Sequence, residues 1–327
     1  MADGSDRSIK LYHYTFSPYA RKVLWYLALR QLPYAEVKQP PMLPRPDREA
    51  IGVAYRRIPF LTVGKDVYCD TRIMLKKLEE LFPEGKIGAT TPDGQALQKL
   101  LEIWHVEAGL FVKATQTMPS DMPILKDPKF AKDREQFSGR PWNGEMIDRN
   151  RPEALAYVRG AFSFLENTLL ADGREWILKT KQPMLADIEA VWIVHWLSTL
   201  KGALPQETFS KSSFPKVFAY INRFDKAVQS AKSNGPQPTT LDGKTAADQI
   251  FKSGFAEKEG AIEDGEPQNL RKGEQVEVFP TDSGFSHRDK GILLSLNSDE
   301  IVIGLENGLR LHTPRTGFRV RQVNSKI

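Results

Sequence analysis

The sequence predicts three units of different fold class: an α/β domain over residues 1–85, an all-helical domain over 91–232 and a small all-β tail over 272–327. Strand-like and helix-like segments alternate in the first unit, whereas long apolar stripes with helical spacing fill the second. Short alternating segments separated by turn residues are typical of the third. Residues 233–271 begin as a Gly- and Pro-containing linker and include one short predicted helix, 244–251.

The overall composition excludes several classes of function. The 46 basic and 41 acidic residues are interspersed and give a net charge of +5. Nucleic acid is therefore not an expected partner, because phosphate binding usually needs a concentrated basic face. The most apolar run, residues 191–200, contains His195 and Ser198 and is too short to cross a bilayer. No membrane span is predicted.

Cysteine content and the terminal sequences indicate where the protein acts. Cys69 is the only cysteine, so no intrachain disulfide can form and a cytoplasmic protein is expected. The polar N-terminus carries no apolar signal core. The C-terminal Ser325-Lys326-Ile327 is close to a Ser-Lys-Leu address, which makes the peroxisome the weaker alternative.

The first unit has a definite order of elements. Strands are predicted over residues 9–14, 34–37, 59–63 and 67–69, and helices over 18–30 and 71–81. The last two strands flank Gly64-Lys65-Asp66, which is a tight hairpin signal. The resulting order, β-α-β-(α)-β-β-α, is that of the thioredoxin-like fold.

The second unit is predicted to be helical throughout except in one segment. Apolar residues recur with helical spacing over residues 93–115, 152–170, 184–200 and 214–230. Residues 119–151 are rich in Pro, Asp and Arg, and are expected to form a long irregular loop that is either functional or mobile.

The tail from about residue 272 has the pattern of a separate β domain. Strands are predicted over residues 275–279, 291–296, 300–305 and 309–312, the last two joined by Asn307-Gly308, the strongest short hairpin signal. Four or five short strands in so few residues predict an SH3-like barrel, independent of the rest of the chain. Such barrels commonly bind other proteins, so a protein partner for the tail stays open.

Three short motifs follow the predicted strands of the first unit. They are Ser17-Pro18-Tyr19 at a helix start, Arg57-Ile58-Pro59 before a strand, and Asp70-Thr71 at another helix start. Each is ordinary alone, since Ser, Asp and Thr cap helices and Pro opens helices and edge strands. Their order and spacing together resemble the N-terminal domain of cytosolic glutathione transferases. The Ser-Pro-aromatic sequence is most similar to the serine-dependent classes, and the extended chain resembles fungal members.

This resemblance implies glutathione as co-substrate, with no metal. It assigns Ser17 a catalytic role, in which the hydroxyl donates a hydrogen bond to the glutathione sulfur and stabilises the thiolate; Tyr14 is the alternative. It implies a cis peptide bond at Ile58-Pro59, whose backbone pairs with the cysteinyl unit. It implies that Arg57, or less readily Arg56, binds the glycine carboxylate of glutathione. It also implies that Asp70 and Thr71 bind the γ-glutamyl end.

The resemblance also implies a second substrate, a small hydrophobic electrophile. Phe16, Trp104 and Phe111 are candidates for its pocket, although aromatic residues at helical spacing are also ordinary core residues. A homodimer is expected, in which the N-terminal domain of one subunit contacts the helical domain of the other. Cys69 at a strand end is expected to be buried, and Pro183-Met184 resembles a helix-capping box that lacks its usual hydroxyl.

Three functions stay open on this sequence. The first is a glutathione transferase-like enzyme that adds the thiolate to its electrophile, with natural-product biosynthesis as one setting. The second is a biosynthetic isomerase-type enzyme. The third is a non-catalytic glutathione-binding regulator or scaffold that uses the β domain to bind proteins.

Overall fold

The computed structural model describes residues 7–323. The predicted peroxisomal signal at residues 325–327 lies outside this range. Within residues 7–323, no helix is both long enough and apolar enough to cross a membrane.

The N-terminal domain has the predicted thioredoxin-like order. Its elements are β1 (Ile9–His13), α1 (Pro18–Leu29), β2 (Tyr34–Lys38), α2 (Pro46–Ala50), β3 (Phe60–Val63), β4 (Asp66–Cys69) and α3 (Thr71–Leu81). Strand β1 pairs in parallel with β2 and antiparallel with β3, and β3 continues into an antiparallel pair with β4. Strands β1, β3 and β4 are buried along their whole length, so helices must cover the sheet on its faces.

The second unit is helical, as predicted. Its helices are α4 (Pro92–Val106), α5 (Leu110–Thr115), α6 (Pro128–Ser138), α7 (Gly144–Phe164), α8 (Leu185–Thr199) and α9 (Pro215–Asn234), with a 3-10 turn at Pro123–Lys126 and a π-helical turn at Leu165–Leu169. The single long helix expected over 93–115 is interrupted, because Gly109 adopts a left-handed conformation with a φ of 80° and starts α5. Helix α8 is buried along nearly its whole length and forms the centre of this unit.

The irregular loop predicted over residues 119–151 is wrong. That segment holds α6 and the first turns of α7, and both helices begin at a capping side chain. The Asp127 carboxylate accepts a hydrogen bond from the Lys129 N–H, and the Asn143 amide oxygen accepts one from Met146. Because Asn143 starts α7, Pro152 lies inside this helix rather than at its predicted first position.

The C-terminal part continues the sheet of the N-terminal domain. Its elements are β5 (Thr239–Thr240), α10 (Gly243–Lys252), β6 (Gln275–Pro280), β7 (Asp289–Leu296), β8 (Glu300–Gly304), β9 (Arg310–Pro314) and β10 (Phe318–Gln322). Strand β5 extends the far edge beside β2, and α10 packs on α2. The predicted hairpin at Asn307-Gly308 is confirmed, since it joins the antiparallel strands β8 and β9.

Strand β9 pairs in parallel with β4, with Tyr68 opposite His312. One ten-stranded sheet therefore runs through the molecule in the order β10-β6-β7-β8-β9-β4-β3-β1-β2-β5. The tail is thus joined to the N-terminal domain by backbone hydrogen bonds, and the prediction of an independent, tethered module is wrong on this point. An SH3-like closure of the five tail strands stays a prediction.

Candidate functional site

The strand register brings the three predicted motifs to one end of the sheet. Phe60 at the start of β3 lies opposite both Tyr12 in β1 and Cys69 in β4. The Ile58-Pro59 bond just before it is cis, and it lies between the end of β1 and the start of α3. Because β1 leads into α1 and β4 leads into α3, the first turns of both helices meet at this bond.

Ser17 is the N-cap of α1. Its hydroxyl oxygen accepts a hydrogen bond from the Ala20 N–H at 3.2 Å, which leaves the hydroxyl hydrogen available to a thiolate. Ser17 itself is only 1% exposed, whereas the neighbouring Phe16 is 53% exposed and packs on Tyr14 with ring centroids 4.8 Å apart. The capping role of Ser17 is therefore present in the structure.

Asp70 is the N-cap of α3 and is locked by an arginine that the sequence interpretation missed. It adopts a left-handed φ of 91°, and Oδ1 accepts hydrogen bonds from the Arg72 N–H at 3.0 Å and Nε at 2.9 Å. Burial raises the pKa of Asp70, but the Arg72 guanidinium and its hydrogen bonds outweigh burial and hold the pKa below its usual value. Thr71, next in sequence, is buried.

Arg57 reaches the same place from the other side. Its NH1 lies 3.8 Å from Oδ2 of Asp70, and NH2 forms an ion pair with Asp282 in the tail. The Ser283 carbonyl oxygen accepts two further hydrogen bonds, 3.0 Å from Nε and 2.7 Å from NH2. Arg56, the weaker candidate, turns away and binds Asp133 on α6 at 2.7 Å. Of the two arginines, Arg57 is the one at the site.

The three predicted pocket residues do not share one cluster of ring contacts. Phe111 packs edge-on against Tyr19 in the first turn of α1, at 4.7 Å between ring centroids. Trp104 packs instead on Phe164 at 5.0 Å. Within residues 7–323, no ring contact joins Phe16 to Phe111 or Trp104. Phe16 thus lies beside the α1 N-cap, whereas Trp104 and Phe111, which also stacks on Trp192 of α8 at 5.4 Å between ring centroids, belong to the aromatic packing of the helical unit.

Two smaller predictions concern packing. Cys69 is buried, and burial raises the pKa of its thiol well above the usual value, so it is a core residue without thiolate character. The half capping box at α8 is confirmed: the Asp187 carboxylate accepts a hydrogen bond from the Met184 N–H at 2.8 Å, and Met184 offers no hydroxyl in return.

A second polar cluster lies where the tail joins β4. It consists of Asp66, Lys77, Glu257, Glu300 and His312, and we call it the seam cluster. His312 bridges Glu300 (2.6 Å from Nδ1) and Asp66 (3.0 Å from Nε2). Burial lowers the pKa of His312, but these two carboxylates outweigh it and raise the pKa to about 9.

Lys77 completes the seam cluster from α3. Its ammonium lies 2.5 Å from Glu257 and 2.8 Å from Glu300. Glu257, Glu300 and His312 present ligand atoms within 4.8 Å of one another, a donor set that suits a divalent metal. Because the Lys77 ammonium already bridges the two glutamates, we describe the cluster as an ionic lock between tail and N-terminal domain.

Comparison with protein families matches two parts of the chain. Residues 11–86 match the model described as "Glutathione S-transferase, N-terminal domain". Residues 113–233 match a model described as "Domain of unknown function (DUF7962)". No curated protein matches the chain significantly.

Solved structures share the fold at low sequence identity. A GST-like protein from Pseudomonas syringae is 20% identical, with a TM-score of 0.67, and the match covers 97% of this chain and 99% of that one. The beta-etherase LigF from Sphingobium sp. strain SYK-6 is 16% identical, with a TM-score of 0.54, over 70% of this chain and 100% of its own. A glutathione S-transferase from Sinorhizobium meliloti 1021 is 16% identical, with a TM-score of 0.52, over 71% of this chain and 96% of its own.

The Pseudomonas syringae protein matches along almost the whole length, so its fold includes a counterpart of the tail, whereas the other two match over about 70% of this chain. The likeness of these structures supports the fold, and the N-terminal family model supports the lineage of that domain. Together they support placing the chain in the glutathione transferase superfamily.

Proposed function

We propose that the chain binds glutathione where α1, α3 and the cis Ile58-Pro59 bond meet, and adds its thiolate to a small hydrophobic electrophile. The observation that carries this proposal is the convergence of two helix N-termini on one cis-proline bond. Helix N-termini present unpaired N–H groups and a positive dipole end, which favour bound thiolate and carboxylate groups. A serine and a threonine stand at these two helix starts, and the second is capped by Asp70.

The proposed catalytic residue is Ser17. Its hydroxyl would donate a hydrogen bond to the glutathione sulfur and lower the thiol pKa from about 8.5, so that the nucleophilic thiolate is populated at neutral pH. Serine cannot form the mixed disulfide of thiol–disulfide exchange, so the chemistry is addition rather than redox exchange.

The proposed binding residues hold the rest of the tripeptide. The Ile58 backbone would pair with the cysteinyl unit as an added strand. Thr71 and the α3 N-terminus would receive the γ-glutamyl carboxylate, and Asp70 would face its ammonium. Arg57 would bind the glycine carboxylate, because its guanidinium lies 3.8 Å from the Asp70 carboxylate.

The electrophile would bind beside Ser17, between the exposed Phe16 ring and the Phe111–Tyr19 pair. Its apolar surroundings favour a small hydrophobic compound, with natural-product biosynthesis as the setting. A cytoplasmic homodimer of the predicted kind goes with this function. Light scattering tests the dimer: a single species near the 37.0 kDa chain mass would overturn it.

The test is the Ser17→Ala variant. Turnover of a general electrophile such as 1-chloro-2,4-dinitrobenzene should fall about 10- to 1,000-fold, the range for removing one charge-stabilising donor. The apparent pKa of the bound thiol, read from the thiolate absorbance, should rise, while calorimetry gives a nearly unchanged glutathione affinity. Ser17→Thr is the matched control, since it keeps both hydroxyl and cap. Full activity of Ser17→Ala would transfer the role to another hydroxyl, and Tyr14→Phe would then be measured.

A second candidate function is favoured by the coverage of the site. Ser17 is 1% exposed, and the Arg57 side chain is 14% exposed with its donors already engaged by the tail. A covered site is compatible with a regulator that binds glutathione without turnover and presents the tail to a protein partner. Measured turnover that Ser17→Ala abolishes would decide for the enzyme.

A further inference from the structure

The tail covers the proposed glutathione site with a short loop, residues 281–284, which we call the plug loop. Asp282 forms an ion pair with Arg57, and the next residue, Ser283, accepts two hydrogen bonds from the same guanidinium through its carbonyl oxygen. A carboxylate and a carbonyl of the protein therefore occupy Nε and Nη2 of Arg57, the arginine that the proposed function assigns to a carboxylate of glutathione.

The plug loop is held in place by its neighbours in the tail and on α6. The Thr281 N–H donates to the Gly317 carbonyl at 3.0 Å, and the Gly284 N–H donates to the Phe137 carbonyl at 2.7 Å. Gly317 itself packs directly on Arg72, since an added Cβ would lie 2.8 Å from its NH2. These contacts set the loop across the site between α6 and the first turn of α3.

The contact that blocks Arg57 is the most exposed part of this arrangement. The Asp282 side chain is 60% exposed while that of Arg57 is 14% exposed. An exposed carboxylate exchanges its partner for water at little cost, because water solvates the freed charge. The arginine, in contrast, is buried and needs an anionic or carbonyl partner at all times. A ligand carboxylate is the kind of group that would replace Asp282.

We propose that the plug loop is an internal competitor of glutathione, with the Asp282 carboxylate standing where a carboxylate of the tripeptide binds. The inference rests on the proposed function. Glutathione binds only to the state in which the loop has left Arg57, so the measured dissociation constant is the intrinsic one divided by the fraction of open molecules. Weakening the Asp282 contact enlarges that fraction and tightens glutathione binding.

The test uses the full chain and two readouts. Asp282→Asn should lower the glutathione dissociation constant about 2- to 5-fold in calorimetry, the factor for removing an exposed ion pair. The same variant should raise the rate at which phenylglyoxal modifies Arg57, measured by peptide mass spectrometry against the exposed Arg159 as internal reference. Asp264→Asn is the control, because it removes the same charge from another exposed site, in the segment that precedes the tail.

The outcomes separate the loop from the function. Tighter binding with faster Arg57 modification in Asp282→Asn, and neither in Asp264→Asn, supports the competition. Arg57 modified as fast as Arg159 in the unaltered protein, or faster modification with unchanged affinity, overturns the competition alone. Absence of glutathione binding in every variant, with Arg57 still protected in the unaltered protein, overturns the proposed function and the competition with it.

Discussion

Two of the places where the tail meets the N-terminal domain, the seam cluster and the plug loop, have opposite physical character. In the seam cluster, His312 and Asp66 are 3% and 0% exposed, and their charges are balanced within the protein. In the plug loop, the contacting Asp282 is 60% exposed and shares its charge with water. Removing a partner from the first leaves a buried charge unpaired, whereas removing Asp282 does not. The seam therefore holds the tail in place, and the plug loop can move without the tail leaving.

Helix α3 connects the two places. Its first turn carries Arg72, which contacts the covered site, and Lys77 lies one to two turns later in the seam cluster. A change in the seam can thus reach the candidate site through a short, well-packed helix. The predictions below test whether seam and loop differ as much as their burial indicates.

The largest effect is expected from removing the tail. A truncation ending at Ser233 exposes the β4 edge and leaves Asp66 and Lys77 without their partners. We expect this truncation to aggregate or to lose its cooperative thermal transition. An open apolar edge strand and buried charges without partners both destabilise the domain. Replacing only residues 281–284 with a Gly/Ser loop of equal length should leave the transition in place. A truncation that melts cooperatively within a few degrees of the full chain would show that the seam is dispensable.

The next effect concerns a single seam residue. Lys77→Met removes the buried ammonium that bridges Glu257 and Glu300, and should lower the free energy of unfolding by about 3–5 kcal/mol in urea denaturation. Lys76→Met on the same helix is the matched control: its side chain is 42% exposed and pairs with exposed Asp299, so about 1 kcal/mol or less is expected. Equal losses in the two variants would contradict the distinction between seam and surface.

Stability should also fall as the pH rises above neutrality. Folding raises the pKa of His312 from 6.5 to about 9, so its contribution is complete below pH 6.5 and is lost as the pH passes through 9. Between pH 7.5 and 9.5 this amounts to about 2 kcal/mol. Burial raises the pKa of Asp289 to about 7, so the contribution of Asp289 to the pH dependence of stability lies mainly below pH 7.5.

Urea denaturation at these two pH values measures the difference, and His312→Gln should remove most of it. In the acid direction the seam weakens for a different reason. The hydrogen bond from His312 lowers the pKa of Glu300 despite burial, so this carboxylate contributes above its unfolded pKa and loses its contribution as the pH falls. A pH dependence that survives in His312→Gln would assign the alkaline loss to other groups.

Local sequence patterns predicted the helices and strands, but they did not predict the pairing between distant segments. Helix α3 begins and ends as predicted over residues 71–81, because Asp70 caps it and its apolar stripe is regular. The Asn307-Gly308 hairpin was equally predictable from the sequence, since its turn is specified by two residues. The parallel pairing of β4 with β9 joins segments more than 240 residues apart, and no local signal specifies it.

The candidate site shows the same division. Ser17, Ile58-Pro59 and Asp70 were found because each follows a strand at a recognisable spacing, and the sheet register then brings them together. The plug loop was missed, since an exposed Asp-Ser-Gly turn carries no sign of the arginine it contacts. The α6 helix was also missed, because Pro128 suggested a loop although it occupies the first position of a helix capped by Asp127.

The smallest expected effect is the one that most sharpens the comparison. Asp282→Asn should lower the free energy of unfolding by about 1 kcal/mol or less, because an exposed ion pair contributes little to stability. Hydrogen exchange of residues 281–284 should nevertheless become faster, since the loop loses its contact with Arg57 while the seam stays closed. Urea denaturation and exchange mass spectrometry on the same samples measure both quantities. A loss above about 2 kcal/mol would contradict a movable loop, because it would make Asp282 part of the structural lock that the seam cluster forms.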